Sequence, residues 1–319
     1  MYLSRYNEKC MINRNEISRR EASKLIAIGA SSILLNGFPK IKMTKTMNHR
    51  NIPSTNEKIP VVGLGTWQTF DIGDSEEERL PLKEVLKVLI EHGGSVIDSS
   101  PMYGRSEKVV GELTSKLKAK NVLFEATKVW TTGEEEGIQQ MNTSMSLMQA
   151  QPMDLMQIHN LLDWKVHMKT LRKWKEEGKI RYIGVTHYHK GGYEEVERIM
   201  RNESIDFVQI NYNLKVRDAA ERILPLAQDR GIGVLINRPY EGGQLFQASK
   251  NKTFPSWADE FSAKSWGQLF LKFILAHPAV TCVIPGTSKA KHMLDNVQAG
   301  FGALPTLKHQ EKMIKLFDN

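Results

Sequence analysis

Short apolar runs rich in Val and Ile alternate, from residue 59 onward, with segments in which apolar residues recur at helical spacing. Short apolar runs are typical of buried strands, and recurrence about every three to four residues is typical of helices that pack on one face. Helical spacing is clear in the segment 82–90. The pattern predicts eight strands, at residues 61–64, 96–98, 122–128, 154–159, 182–185, 207–211, 233–237 and 280–284.

Alternation of strands and helices predicts a parallel sheet, because only a crossover helix returns the chain in the same direction. Eight such units predict an α/β fold of the closed (β/α)8 TIM-barrel class, with residues 59–319 as a single domain. An open doubly wound sheet would need a Gly-rich turn after its first strand. The only candidate is Gly63-x-Gly65, with Gln68 in place of the third glycine, and we therefore exclude that architecture.

Composition is that of a soluble globular protein. The chain has 319 residues, of which 40% are hydrophobic and 25% charged. No apolar run is long enough to span the hydrocarbon layer, which takes about 20 residues, so we expect no stable membrane insertion. The cysteines are Cys10 and Cys282, which provide neither a disulfide framework nor a cysteine zinc site.

The net charge of +8 raises the question of a nucleic-acid partner. Residues 1–58 hold 11 Lys/Arg against 4 Asp/Glu, a net charge of +7 that leaves +1 for the body. A nucleic-acid groove needs cations on the folded domain itself, so we expect no nucleic-acid binding.

Residues 1–58 are expected to form a basic leader and linker. Within them, Arg19-Arg20 precedes the apolar stretch 25–35, and this order resembles a twin-arginine export signal. The resemblance implies a periplasmic protein that is exported already folded. The alternative is a cytoplasmic protein with an amphipathic or disordered tail.

Four polar residues stand at or near the C-terminal ends of predicted strands, where a barrel of this kind carries its active site: Asp98, Tyr103, Lys128 and His159. A cation at Lys128 favours the anion of Tyr103, and Asp98 keeps that cation protonated. His159 is suited to hold a substrate oxygen by a hydrogen bond. A phenol that protonates an oxygen while carbon receives a hydride is what carbonyl reduction requires.

The stretches 96–107 (VIDSSPMYGRSE), 126–130 (ATKVW) and 157–160 (QIHN) resemble the aldo/keto reductase family over about residues 59–304. The resemblance implies that Asp98, Tyr103, Lys128 and His159 are the catalytic tetrad. It also implies a (β/α)8 barrel that reduces aldehydes or ketones to alcohols with NADPH, with NADH not excluded. We expect a monomer that acts on a small-molecule carbonyl.

Further positions carry over from the same family. Trp67 and Trp130 would line the substrate pocket, and Thr66 would lie near the cofactor. The nicotinamide amide would be bound by Thr186, His187 and Gln209. His187 stands where the family has Asn.

Many family members stack an aromatic side chain on the nicotinamide at the position where this chain has Asn237. Arg238 or Tyr240 is a candidate substitute for that aromatic. The phosphate and adenine segment would contribute Gly286, Ser288, Lys289, His292, Asp295 and Asn296. His292 stands where many NADPH-dependent members have Arg.

Two other functions fit some of these residues. His159, His187 and His189 lie near adjacent strand ends and suggest a metal-dependent hydrolase, but the later strands offer no further metal ligand. The departures at His187 and Asn237 suggest a cofactor-binding redox sensor with little turnover. The complete tetrad favours the enzyme, because a protein that only binds the cofactor has no use for a proton donor. We predict no metal.

Overall fold

The computed structural model describes residues 46–318 and shows ten strands in that range. Eight of them form one parallel sheet in chain order, from β3 to β10. The strands are β1 (His49–Asn51), β2 (Lys58–Pro60), β3 (Leu64–Gly65), β4 (Val96–Asp98), β5 (Phe124–Val129), β6 (Met153–Ile158), β7 (Ile180–Thr186), β8 (Phe207–Asn211), β9 (Gly233–Asn237) and β10 (Cys282–Val283).

Helices follow the strands of the parallel sheet, as the apolar spacing predicts. Within the described range they are α1 (Glu76–Glu91), α2 (Ser106–Lys116), α3 (Glu134–Met148), α4 (Trp164–Glu176), α5 (Tyr193–Asn202), α6 (Ile223–Arg230), α7 (Gln244–Ser249), α8 (Trp266–Leu275), α9 (Ala290–Gln298) and α10 (Leu307–Asp318).

The two edges of the sheet meet. Parallel bridges join Val62 to Val283 and Gly65 to Gly286, so that the first and last strands are neighbours. The closed sheet with surrounding helices confirms the (β/α)8 barrel.

Apolar side chains form two layers. The larger cluster lies between the strands and the helices, as in Val85 and Leu86 of α1 and Ile97 of β4. The smaller cluster is separate from the first and contains alternate strand residues, such as Val96, Phe124 and Leu155. Because successive side chains of a strand point to opposite faces, the smaller cluster lies inside the barrel.

A hairpin of β1 and β2 precedes the barrel, paired antiparallel from His49–Pro60 to Asn51–Lys58. Ile52 and Ile59 are buried and belong to the interior cluster, so the hairpin packs on the barrel interior. Strand β1 lies inside the segment 1–58 that the sequence assigns to leader and linker. Its three residues are polar and none is buried, and this is why hydrophobic periodicity gives no sign of the strand.

Three strands, β4, β8 and β9, have the predicted bounds. The first and last barrel strands differ most, since the apolar runs 61–64 and 280–284 contain only Leu64 and two residues of regular ladder respectively. Apolar runs indicate burial, whereas a regular strand also needs hydrogen bonds to a neighbouring strand.

None of the helices between residues 46 and 318 combines the length and the apolar character that a bilayer crossing requires. The export-signal-like segment and Cys10 lie outside the described residues.

Candidate active site

Asp98 and Lys128 form a buried ion pair at the C-terminal rim of the barrel. Asp98 is the last residue of β4, Lys128 lies in β5, and their side chains are 3% and 0% exposed. Lys128 Nζ donates to Asp98 Oδ2 at 2.6 Å and to the Ser99 carbonyl at 2.6 Å. Burial by itself lowers the pKa of Lys128, but the negative charge of Asp98 and contact with Tyr103 raise it above the ordinary value. Lys128 is therefore an ammonium at neutral pH.

The second oxygen of Asp98 accepts hydrogen bonds from two amides. Gln157 Nε2 and Gln209 Nε2 lie 2.8 and 2.9 Å from Asp98 Oδ1. Gln157 is fully buried, and it is not among the residues predicted from the sequence to form the site. A signal was present, because Gln157 lies two positions before His159, on the same face of the strand.

Tyr103 follows β4 on a short 3-10 turn, Pro101–Tyr103. The Ser100 side chain caps this turn by accepting from Met102 N, and Gly104 ends it with a φ of 61°, in the left-handed region that favours glycine. Lys128 Nζ lies 5.0 Å from the centroid of the Tyr103 ring.

Two opposing effects act on the Tyr103 phenol. Burial raises its pKa, the charge of Lys128 lowers it, and the net direction is upward. Lys128 favours the Tyr103 anion, as expected, but its effect on the pKa is smaller than that of burial, which penalises the anion. Tyr103 is consequently a protonated phenol at neutral pH, the form that donates a proton.

His159 is the first residue after β6 and is 6% exposed. Burial and the positive charge of Lys128 lower the pKa of His159 to about 3, so the imidazole is neutral. Its ring meets the Tyr103 ring edge to face, with centroids 5.7 Å apart, and its centroid lies 6.3 Å from that of Trp130. Ser100 Oγ lies 2.9 Å from His159 Nδ1.

The two tryptophans expected in the substrate pocket stand at strand ends. Trp67 follows β3 and Trp130 follows β5, and they are 43% and 41% exposed. Gln140 fixes the backbone of Trp130 by accepting from its N–H at 2.6 Å and donating to its carbonyl at 3.1 Å. Trp130 therefore provides an apolar surface beside the His159 imidazole.

Thr66, expected near the cofactor, is fully buried behind the rim. Its hydroxyl lies 3.0 Å from both the Asp98 carbonyl and Ser99 Oγ. In the structure it supports the residues that carry Asp98.

Thr186, His187 and Gln209, the residues expected to bind the nicotinamide amide, are neighbours at the end of β7 and in β8, and Asn237 of β9 lies beside them. Gln209 Oε1 accepts from Asn237 Nδ2 at 3.4 Å, and Asn237 Nδ2 also donates to the His187 carbonyl at 3.1 Å. Thr186 Oγ1 accepts from Asn160 N at 3.1 Å. Asn237 Oδ1 is buried and has no hydrogen-bond partner in residues 46–318.

The unpartnered Asn237 Oδ1 bears on whether the residues around it fit a nicotinamide. A buried acceptor without a donor is costly, and an amide N–H from a ligand would satisfy it. Asn237 Oδ1 beside Gln209 thus suits the carboxamide of a pyridine dinucleotide.

Arg238 and Tyr240 differ in their fitness to replace the missing aromatic. Tyr240 packs on Phe246 with ring centroids 4.8 Å apart, and its hydroxyl donates to Asn296 Oδ1 at 2.5 Å. These contacts hold the Tyr240 ring against Phe246 and Asn296, so the structure favours Arg238 over Tyr240 as the candidate stacking residue. Arg238 is half-buried and pairs with Glu241 at 2.7 Å.

The phosphate and adenine segment runs from Gly286 into α9. Gly286, Ser288, Lys289 and His292 are exposed around the start of this helix. Free backbone N–H groups and basic side chains at a helix N-terminus suit a phosphate.

Asp295 and Asn296, expected at the adenine, already have partners. Asp295 accepts from Ser265 Oγ and Gln268 Nε2, both at 2.7 Å. Asn296 is 4% exposed and its Oδ1 accepts from Tyr240. Both residues therefore tie α9 to neighbouring elements in this structure.

The histidines that suggested a metal site do not form a ligand set. His187 and His189 have ring centroids 4.5 Å apart, but His187 Nδ1 bonds to the His189 carbonyl. In the part of the chain that the structure describes, no group of three or more His, Cys, Asp or Glu residues is arranged to hold a metal ion. The geometry does not favour the hydrolase.

Comparison with known proteins gives a family and relatives. The model of the aldo/keto reductase family matches residues 61–311. Methylglyoxal reductase YeaE of Escherichia coli is 25% identical over 248 residues, which cover 76% of this chain and 86% of that protein. Glyoxal reductase of Bacillus subtilis is 25% identical over 243 residues, covering 75% and 82%.

Solved structures show the same fold. An aldo/keto reductase from Klebsiella pneumoniae, crystallised with NADP and acetate, superposes with a TM-score of 0.67 at 23% identity. The match covers 82% of this chain and 93% of that one.

Proposed function

The chain belongs to the aldo/keto reductase family, and from this premise we propose that it is an NADP-dependent oxidoreductase that reduces aldehydes or ketones to alcohols. The observation that carries the proposal is the contact of Asp98, Lys128, Tyr103 and His159 at one rim of the barrel. A proton donor, a cation beside it and a neutral hydrogen-bond donor are the groups that carbonyl reduction needs.

Each member of the tetrad has a separate task. Tyr103 donates its proton to the carbonyl oxygen, and the ammonium of Lys128 stabilises the phenolate that remains. Asp98 keeps Lys128 charged in a buried position. His159, neutral because its pKa is about 3, orients the carbonyl oxygen by a hydrogen bond. A reduced nicotinamide, when bound, supplies the hydride.

The cofactor proposal rests on two places that fit NADPH. Asn237 Oδ1 would accept from the carboxamide N–H, and Lys289 with the start of α9 would hold the 2'-phosphate. Arg238 would stack its guanidinium plane on the nicotinamide ring in place of the usual aromatic. Arg238 directly follows β9, and its guanidinium pairs with Glu241.

We propose small aldehydes, including 2-oxoaldehydes, as the substrate class. Two relatives are named methylglyoxal reductase and glyoxal reductase. Exposed Trp67 and Trp130 offer apolar surface near the tetrad. A compact carbonyl compound needs no more than such a surface and the two hydrogen-bond donors.

The direct test follows loss of NADPH absorbance with purified protein and methylglyoxal, glyoxal, a long-chain aldehyde and a ketone. We expect turnover with the small aldehydes and a higher kcat/KM with NADPH than with NADH. Absence of turnover with every carbonyl, together with tight NADPH binding, would favour the redox sensor over the enzyme.

The leader supports a separate proposal about location. We propose that Arg19-Arg20 and the apolar stretch 25–35 direct export of the folded monomer to the periplasm. The test is cell fractionation with N-terminal sequencing of the mature protein. A variant with Arg19→Lys and Arg20→Lys keeps the charge and should stay in the cytoplasm. A cytoplasmic location of both the wild type and this variant would contradict export. Size-exclusion chromatography of the purified protein tests whether it is a monomer.

A further inference from the structure

Ser100 is a buried hydroxyl in contact with the imidazole of the tetrad. It lies two residues after Asp98 and is 0% exposed. Its Oγ accepts from Met102 N at 3.2 Å and lies 2.9 Å from His159 Nδ1. The same side chain therefore caps the turn that carries Tyr103 and touches the ring of His159.

The proton inventory of this contact decides its direction. A serine hydroxyl has one proton to donate and two lone pairs, and Met102 N–H already occupies one lone pair. Within residues 46–318, His159 Nδ1 is the only acceptor that the Ser100 hydroxyl reaches. If Nδ1 carried the proton of the neutral ring, the hydroxyl proton would be buried without an acceptor, which is costly.

We propose that Ser100 is a positioning residue that donates to Nδ1 and so holds His159 as the tautomer with its proton on Nε2. The inference rests on the proposed carbonyl reduction for its consequence, not for its geometry.

The consequence concerns the nitrogen opposite Ser100. His159 Nε2 makes no hydrogen bond to any residue between 46 and 318 and is not sealed from solvent. With its proton on Nε2, the ring donates to a carbonyl oxygen beside Tyr103. The other tautomer would point the Nε2 lone pair at the carbonyl oxygen, and the two electron-rich atoms would repel each other.

The tautomer is measured without turnover, by nitrogen-15 NMR of the histidine rings in the full-length protein, with and without NADPH. His159→Gln serves only to assign the signal. In the wild type we expect protonated Nε2 and bare Nδ1 from neutral pH down to pH 5. Ser100→Ala should give a mixture of tautomers, and Ser100→Thr, which keeps the hydroxyl, should restore the wild-type pattern.

Kinetics supply the second readout. Ser100→Ala should lower kcat and kcat/KM together by about tenfold, the worth of one ordinary hydrogen bond, and leave the Kd for NADPH unchanged. Thr114→Val is the matched control, because its buried hydroxyl bonds only to carbonyls of its own helix, and it should change neither tautomer nor rate.

The outcomes separate this inference from the proposed function. A wild-type signal with the proton on Nδ1 overturns it, whatever the activity. A tenfold slower Ser100→Ala variant with an unchanged tautomer also overturns it, since Ser100 would then act only as a cap. Failure of the wild type to reduce any carbonyl would refute the proposed function while the NMR result still decides the tautomer.

Discussion

Asp98 joins three separate stretches of chain at the rim of the barrel. One oxygen binds Lys128 of β5, and the other binds Gln157 of β6 and Gln209 of β8. A buried carboxylate is tolerated only when a charge and hydrogen bonds replace its water. The ionic state of the site is thus decided by individual residues.

Replacing Tyr103 by Phe removes the proton donor and little else. We expect kcat to fall by roughly 10² to 10⁴, the usual contribution of a positioned general acid. The Kd for NADPH, from fluorescence titration, should stay near that of the wild type. A variant with the wild-type rate would exclude Tyr103 as the proton donor.

His159 makes stability depend on pH. Burial holds its pKa near 3, against 6.5 in the unfolded chain, so between these values the unfolded state binds more protons. This contribution is fully present above pH 6.5 and is lost as the pH falls toward 3. Urea unfolding at pH 7 and pH 5 should show a larger loss of unfolding free energy in the wild type than in His159→Gln. Equal losses in both proteins would mean that His159 is not buried as a neutral ring.

Short turns after the strands, rather than the strands alone, place the side chains of Tyr103 and His159. Pro101–Tyr103 follows β4, and His159–Leu161 follows β6. In the second turn Asn160 has a φ of 51°, and its N–H donates to Thr186 Oγ1. The surrounding helices hold each strand and turn in place. A change in helix packing would therefore displace the side chains at the rim.

Close contact of α2 and α3 depends on Gly111. A Cβ at this position would lie 2.0 Å from the Leu147 carbonyl oxygen, which is backbone and cannot move alone. Gly111→Ala should therefore lower the free energy of unfolding by roughly 1–3 kcal/mol, as overpacking does.

Denaturant unfolding measures this change. Ser115→Ala, at an exposed position of the same helix, is the control and should stay within about 0.5 kcal/mol of the wild type. If Gly111→Ala were as stable as the control, the two helices would have to lie farther apart than the structure shows.

At the scale of the molecule, the two ends of the barrel have different tasks. The β1–β2 hairpin packs Ile52 and Ile59 on the interior cluster, whereas the opposite rim carries the tetrad and exposed Trp67. Arg50 strengthens the hairpin end by donating to the His277 carbonyl at 2.9 Å. The hairpin end is thus covered by packed apolar side chains, whereas the tetrad rim carries an exposed tryptophan.

Cofactor binding should stabilise the whole barrel. A ligand at about 100 times its Kd adds about 2.7 kcal/mol to the folded state, which raises Tm by several degrees in a domain of this size. Lys289→Ala should weaken NADPH binding roughly tenfold through loss of one charge-assisted contact.

Thermal unfolding with each cofactor provides the comparison. NADH lacks the 2'-phosphate, so its Tm shift should be the same for Lys289→Ala and the wild type. Equal weakening of both cofactors would place Lys289 away from the 2'-phosphate.

By itself the sequence determined the architecture, the family and the positions of the tetrad. Strand–helix alternation repeated eight times leaves few closed arrangements, and Asp98, Tyr103, Lys128 and His159 stand at strand ends where a parallel barrel gathers them. These are local properties, which apolar spacing and intervals along the chain record.

Only the tertiary structure decided what lies between strands that are distant in sequence. It placed Gln157 on Asp98, Ser100 on His159 and Tyr240 on Asn296. It also showed that burial outweighs Lys128 in the pKa of Tyr103. Hydrogen-bond partners and desolvation depend on which atoms meet across the closed sheet, and no periodicity within one segment carries that information.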